Sequence, residues 1–263
     1  MLTRVTRELL ASYNLHPKKR LGQHFLVDQG VLNRLLLCAE LKKDDVVLEI
    51  GGGLGLLTAE IAGRALRVVM VEKDRDLVEI SRGVLKSCAN AKVVTGDFLE
   101  FKSEENFSKV VGNLPYYITT PIIERLLEPH VYSQGTPKLV VLTIQREVAE
   151  RIAAEPGSKT YGSFSVFVQN LAEVEIRSFV PKTAFYPQPE VGSAIITLRP
   201  RLRPLRHIDS RLVRAAFGQR RKMLRSALKE LNVDFASAGI DPTRRAETLS
   251  LEEFERLSYN LKE

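Results

Sequence analysis

Val46-Val47-Leu48-Glu49-Ile50-Gly51-Gly52-Gly53-Leu54-Gly55 is the stretch on which the fold turns. A short, mostly apolar run leads into four glycines and then into Leu56 to Ala65, which carries a helical pattern. An apolar run without alternation predicts a strand buried on both faces, as in parallel sheets. Glycines between such a strand and a helix let the backbone approach a ligand closely, with helix N–H groups aimed at its anionic part. Gly51, Gly53 and Gly55 follow a G-x-G-x-G spacing, whereas the dinucleotide fingerprint needs its third glycine one position later, where Leu56 stands. The spacing therefore argues against a dinucleotide and for the looser turn that suits S-adenosylmethionine, which has no pyrophosphate to seat.

Working outward, Asp28 to Leu41 reads as a helix before this strand. After it, Arg67 to Glu72, Ala91 to Thr95, Lys109 to Gly112 and Lys138 to Ile144 read as strands. Asp74 to Lys86, Thr119 to Leu127 and Gln145 to Ala154 read as helices between or after them. Strands alternating with helices imply right-handed crossovers and an α/β, Rossmann-like, mostly parallel sheet covered on both faces. Two later β-rich stretches, Glu173 to Val180 and Gly192 to Leu198, flank a proline-stiffened loop and read as antiparallel additions. Arg199 to Pro204 is the linker, because two prolines prevent a helix there. Beyond it Asp209 or Ser210 caps a helix carrying Leu212, Ala216 and Phe217, and Ser250 to Glu253 forms a capping box. The expected organisation is a basic arm and lid at 1–30, a sheet domain at 31–200, and a small all-helical domain at 205–263.

Chemistry-bearing residues fall at successive strand ends, where doubly wound sheets bind ligands. Glu49, Gly51 and Gly53 belong to the cradle itself. Glu72, 21 positions after Gly51 and followed by Lys73, is placed to accept both ribose hydroxyls. Asp97 can accept from an adenine amine, with Phe98 near the ring. Asn113-Leu114-Pro115-Tyr116 then puts an amide, backbone carbonyls and an aromatic face at the end of the fourth strand, a set suited to a flat base with an exocyclic amine. Alone, that tetrapeptide is a common loop; behind a cofactor cradle it is a constellation. The Gln23-His24-Phe25 segment precedes the sheet and is placed to fold over the cofactor as a lid.

Bulk properties narrow the class. The chain has 263 residues, 44% of them hydrophobic and 27% charged, as expected for a soluble globular protein with one large domain and a small one. No apolar run approaches the ~20 residues of a membrane helix. The N-terminus shows no apolar core or cleavage site for secretion, and Glu8 among Arg4 and Arg7 argues against an organellar leader. Cys38 and Cys88 make no metal pattern and read as free thiols of the cytoplasm, and four scattered histidines give no metal site. The net charge of +7 is concentrated: eleven Lys/Arg between Arg199 and Lys229 stand against the single acid Asp209, so this block carries +10 and the remainder −3. A basic block of this kind suits a polyphosphate partner.

Leu21-Gly22-Gln23-His24-Phe25-Leu26, Glu49 to Gly55, Asn113 to Tyr116, Phe185-Tyr186-Pro187-Gln188-Pro189-Glu190-Val191 and Gln219-Arg220-Arg221-Lys222-Met223-Leu224-Arg225 occur in one order. Together they resemble the ribosomal RNA adenine dimethyltransferases, from about Lys18 to the C-terminus. The resemblance implies a class I S-adenosylmethionine-dependent methyltransferase domain, with small-subunit ribosomal RNA and the assembling small subunit as partners of a monomer. It implies methyl transfer to N6 of two adjacent adenines in the 3′-terminal hairpin of that RNA. Carried over by position, the cofactor contacts are His24, Leu26, Gly51, Glu72, Asp97 and Asn113, and Gln23, Glu49, Gly53, Lys73 and Phe98 beside them complete the candidate cofactor set. The catalytic segment is Asn113, Leu114, Pro115 and Tyr116, with Tyr116 and Phe185 on the two faces of the target adenine. Lys18, Lys19, Arg20, Arg220, Arg221, Lys222 and Arg225 would hold RNA phosphates. The chain departs from the family where His24 replaces asparagine, Gly52 proline, and Tyr117 asparagine or histidine. Rival readings are a large-subunit adenine methyltransferase of the antibiotic-resistance type, a non-catalytic assembly or transcription factor, and a DNA adenine methyltransferase.

Overall fold

The computed structural model describes residues 2–128 and 135–261, apart from the side chain of Lys19. They form two compact units, one of residues 1–147 with 175–200 and the other of 148–174 with 201–263.

The first unit is built on strands β2 (Val46–Ile50), β3 (Arg67–Glu72), β4 (Ala91–Thr95), β5 (Lys109–Asn113), β6 (Leu139–Gln145), β7 (Ala172–Val180, from residue 175 on) and β9 (Ser193–Pro200), in the order β4-β3-β2-β5-β6-β9-β7. The pairs β2–β3, β3–β4, β2–β5 and β5–β6 are parallel, and β9 is antiparallel to β6, with Val140 opposite Leu198 and Gln145 opposite Ser193. Val47, Leu48 and Ile50 are all buried, so β2 is covered on both faces, as its mostly apolar run predicts. Strand order reverses between β2 and β5, which opens a crevice at their carboxyl ends. Close approach there explains Gly112: a Cβ on it would stand 2.9 Å from the Ile50 carbonyl oxygen.

A two-stranded ribbon, β1 (Phe25–Leu26) with β8 (Phe185–Tyr186), sets Phe25 opposite Tyr186 and Leu26 opposite Phe185. The helices of this unit are α1 (Leu2–Ser12), α2 (Gln29–Cys38), α3 (Leu56–Ala62), α4 (Arg75–Val84) and α5 (Thr119–Leu127). Asp28 caps α2 by accepting from the Val31 N–H, and Asp74 caps α4 by accepting from the Asp76 N–H. Residues 2–12, read from sequence as part of a basic arm, are a helix whose Thr6 and Leu10 are buried; Leu10 joins Leu54, Leu77 and Ile80 in a small apolar cluster.

Helix α6 (Arg146–Ile152) leads into the second unit, which holds α7 (Ser163–Leu171), α8 (Ser210–Gly218), α9 (Leu224–Ala227), α10 (Phe235–Ala238) and α11 (Leu251–Tyr259). Its core gathers Tyr161, Leu212, Phe217, Phe254 and Leu257, with the Phe217 and Phe254 rings 5.8 Å apart. Ser250 and Glu253 close the capping box of α11. Residues 148–174, placed with the sheet domain by the sequence, group here with the C-terminal helices. Helix α7 had no sequence signal because its run of Phe164, Val166, Phe167 and Val168 carries strand-like side chains; burial of Val166 and Val168 overrides that preference.

Candidate active site

The crevice at the carboxyl ends of β2, β3, β4 and β5 is a cleft of about 820 Å³, counting its open mouth. Gly51 and Gly53 have φ of +71° and +57°, a conformation that favours glycine, and a Cβ on Gly53 would meet the Phe25 ring at 3.4 Å. Gly53 N–H donates to Glu72 Oε2 at 3.0 Å and Asp74 N–H donates to Oε1 at 2.8 Å. These bonds fix the Glu72 carboxyl, and each oxygen keeps a lone pair for a hydroxyl donor. Burial pushes Glu72 above the usual carboxylate range while the same N–H groups pull it back.

Asp97 accepts from Leu99 N–H at 2.9 Å and from Lys73 Nζ at 2.7 Å. Burial raises the Asp97 carboxyl, but the Lys73 ammonium and the Leu99 N–H outweigh it and hold it below the usual range. Phe98 is buried beside it, with the Arg125 guanidinium 5.8 Å from its ring centre. A second hollow of about 490 Å³ shares Phe25, Gly51, Gly53 and Asn113 with the cleft and is also lined by Leu26 and Glu49. Glu49 is 1% exposed and its Oε2 has no hydrogen-bond partner, so burial raises its carboxyl to about 7. A closely approachable glycine turn, a fixed acid at the end of β3 and an unsatisfied buried carboxyl fit a nucleoside with a charged amino-acid end. The residues present thus suit S-adenosylmethionine.

Asn113 ends β5. Its Nδ2 donates to the His24 carbonyl at 2.9 Å, which leaves Oδ1 as a bare acceptor. Pro115 and Leu114 are not equivalent neighbours. The Pro115 carbonyl is taken by the Thr119 hydroxyl at 3.1 Å and the Ile118 N–H at 3.3 Å, within the turn that begins at Tyr116. Leu114 is pinned by its own N–H to the Thr143 carbonyl at 3.0 Å. The acceptors available at this corner are therefore Asn113 Oδ1 and the Leu114 carbonyl. Tyr116 stacks on the His24 ring with centroids 5.5 Å apart, and its hydroxyl bonds Ser193 Oγ at 2.6 Å.

His24 and Gln23 both line the cleft, and each is held from elsewhere in the unit. His24 Nδ1 donates to the Pro187 carbonyl at 2.7 Å, since a carbonyl can only accept. Gln23 Oε1 accepts from Lys18 N–H at 2.7 Å and its Nε2 donates to Asp74 Oδ2 at 2.7 Å. Lys18 is not a free phosphate contact. Its ammonium bridges Asp74 Oδ1 at 2.8 Å and Asp76 Oδ2 at 2.6 Å, tying the lid segment to the start of α4. Phe185 is likewise not a second face for the base. It is 2% exposed and packed in the core with Val180, Ala184 and Ile195.

Within the second unit the basic run divides. Arg220 is committed: its Nη2 donates to the carbonyls of Lys159 and Tyr161, both at 2.9 Å, and reaches Glu247 at 3.3 Å. Arg206 pairs with Glu252 and Glu255, and Arg211 with Asp209. Arg221, Lys222 and Arg225 stand exposed and make no ion pair among the described residues, and Arg20 is exposed in the first unit. The Lys19 side chain lies outside the described residues. Ser193, the Pro187 carbonyl and Asp74 were not legible as site residues, because their partners lie 51 to 163 positions away in the chain. Tyr117, which lines the cleft, adjoins the tetrapeptide that announced it.

Residues 14–263 match the ribosomal RNA adenine dimethylase family. A Clostridium botulinum protein named ribosomal RNA small subunit methyltransferase A is 42% identical over 96% of this chain and 97% of its own length. One of the same name from Halothermothrix orenii is 40% identical over 97% of this chain and 92% of its own. Among solved structures, the 23S rRNA methyltransferase ErmE aligns with a TM-score of 0.69 at 30% identity, covering 90% of this chain and 99% of its own. A dimethyladenosine transferase from Plasmodium falciparum shares the fold, with a TM-score of 0.73 at 24% identity over 89% of this chain and 96% of its own. The chain belongs to the ribosomal RNA adenine dimethylase family.

Proposed function

We propose that the chain transfers methyl groups from S-adenosylmethionine to N6 of two adjacent adenines in the 3′-terminal hairpin of small-subunit ribosomal RNA, giving N6,N6-dimethyladenosine. The observation that carries this reading is the Asn113 amide: with Nδ2 spent on the His24 carbonyl at 2.9 Å, Oδ1 is oriented as an acceptor beside the cofactor cleft. Bound S-adenosylmethionine supplies a methyl group already activated on positive sulfur, so the protein's task is alignment and dehydration. The nucleophile is an aryl amine whose lone pair is delocalised into the ring. Asn113 Oδ1 and the Leu114 carbonyl accept its two hydrogens, favour a pyramidal nitrogen, and stabilise the positive charge that develops there. Tyr116, held at both its ring and its hydroxyl, offers a preset wall for the extruded base. No strong base is needed, because the N–H becomes acidic once the methyl arrives. The second transfer requires one of the two acceptors to yield room for a methyl group.

Similarity favours the small subunit: relatives bearing that name are 40% and 42% identical, against 30% for the 23S enzyme. Exposed Arg20, Arg221, Lys222 and Arg225 are the cations offered to phosphates, reading shape rather than sequence. On this reading the enzyme acts in the cytoplasm as a monomer. No helix among the described residues is long and apolar enough to cross a membrane. Asn113→Ala is the test, assayed with labelled donor and under-methylated small subunits. Turnover should fall about 100- to 1,000-fold, the worth of one preorganised hydrogen-bonding partner, while RNA affinity stays within a few-fold. Unchanged turnover would remove Asn113 from the reaction.

A further inference from the structure

Of the ten large apolar or aromatic side chains that stand exposed among the described residues, Tyr117 alone lines the cleft. It is 53% exposed, an unusual state for a tyrosine ring beside a reaction centre. Its inner side is set against the lid: a Cβ on Gly22 would lie 3.2 Å from Tyr117 Cδ1, and Gly22 has a φ of +58°, a region that favours glycine. The ring is therefore backed by packing while much of its surface faces solvent. Tyr116, one residue earlier, has its ring against His24 and its hydroxyl on Ser193. Phe185, the other aromatic side chain expected at the base, is buried. The exposed aromatic surface beside the target position thus belongs to Tyr117.

We propose that Tyr117 is a positioning residue that stacks the nucleotide next to the adenine being methylated. This rests on the function proposed above, in which the targets are two adjacent adenines. Tyr116 and Tyr117 are chain neighbours that both line the cleft, so Tyr116 can wall the target base while Tyr117 takes the nucleotide beside it. When either adenine occupies the Asn113 corner, its neighbour is within reach of the Tyr117 ring. Base–aromatic stacking is indifferent to base identity, so one platform serves both registers as the two adenines exchange places. The lid contact through Gly22 places this platform against the segment that carries His24.

The test is a cycle on unmodified small subunits reconstituted with RNA in which the neighbour of one target is either adenine or an abasic nucleotide. With wild-type protein the abasic neighbour should raise KM about 5- to 100-fold, the worth of one stacked base. In Tyr117→Ala the KM for the intact RNA should rise to the abasic level, so that the penalty vanishes. Tyr117→Phe, which keeps the ring, should restore it. A full abasic penalty in Tyr117→Ala would overturn the proposal. Weakened donor binding in Tyr117→Ala with the penalty intact would also overturn it, by making the ring a wall of the cofactor site. Wild-type protein inert on unmodified subunits would instead sink the function on which the proposal stands.

Discussion

Replacing Glu49 with glutamine tests the protonation state of the carboxyl beneath the glycine cradle. Burial without a partner for Oε2 raises this acid from its ordinary 4.5 to about 7, Glu72 adds to the effect, and the Thr58 hydroxyl opposes it. An acid whose folded-state value exceeds its unfolded value holds its proton more tightly when folded, so acid favours the folded state. The stability it contributes is complete below its ordinary value and is lost as pH climbs through about 7. At 1.36 kcal/mol per pH unit, the span from 4.5 to about 7 corresponds to about 3 kcal/mol once the group is fully ionised. Glutamine keeps the shape and removes the charge. Urea or thermal unfolding of both proteins at about pH 5 and about pH 8 isolates Glu49, because every other titrating group is common to the pair. The advantage of the variant should grow by roughly 2–3 kcal/mol over that interval, or about 5–10 °C in Tm for a unit of this size. A gap between the two proteins that does not change with pH would refute the argument.

Two further outcomes follow from the ion pairs. Lys18→Met should lower the stability of the first unit by about 1 kcal/mol, the discount for a partly exposed pair, and weaken donor binding, while leaving the salt dependence of RNA binding unchanged; an altered salt slope would return Lys18 to the phosphates. Arg221→Gln with Lys222→Gln should reduce the slope of log affinity against log salt by about 1–2. Arg220→Gln should act chiefly on the melting temperature, since its Nη2 already caps two carbonyls. Equal salt effects from all three residues would contradict that division.

The sheet was legible because its signals are local. Val46–Ile50 is buried on both faces and apolar but for Glu49, and Gly51, Gly53 and Gly55 after it answer to positive φ. Glu72 and Asp97 followed from strand ends alone. Helix α1 was legible in principle, since Leu2, Thr6 and Leu10 recur at helical spacing, but the basic residues of that stretch masked it. What escaped was everything decided by a partner far along the chain. Phe185 is an aromatic in a proline-rich loop by sequence, and a core residue only because β8 pairs with β1. Lys18 and Arg220 are cations by sequence, and internal fasteners only because Asp74 and the 159–161 carbonyls come to them. A count of charges measures how much positive potential a segment brings, not how much remains once the fold has used its share.

The late entry of β9 has a consequence for synthesis. Strand β6 waits for β9 to pair with it, Tyr116 waits for Ser193, and Leu26 waits for Phe185. A nascent chain that has released Asn113 from the exit tunnel still lacks the groups that steady the corner around it. Translation must run some eighty residues past Asn113 before Ser193 emerges. A pause in that interval would leave the parallel strands with an open, hydrogen-bonding edge on β6, the kind of surface chaperones shield.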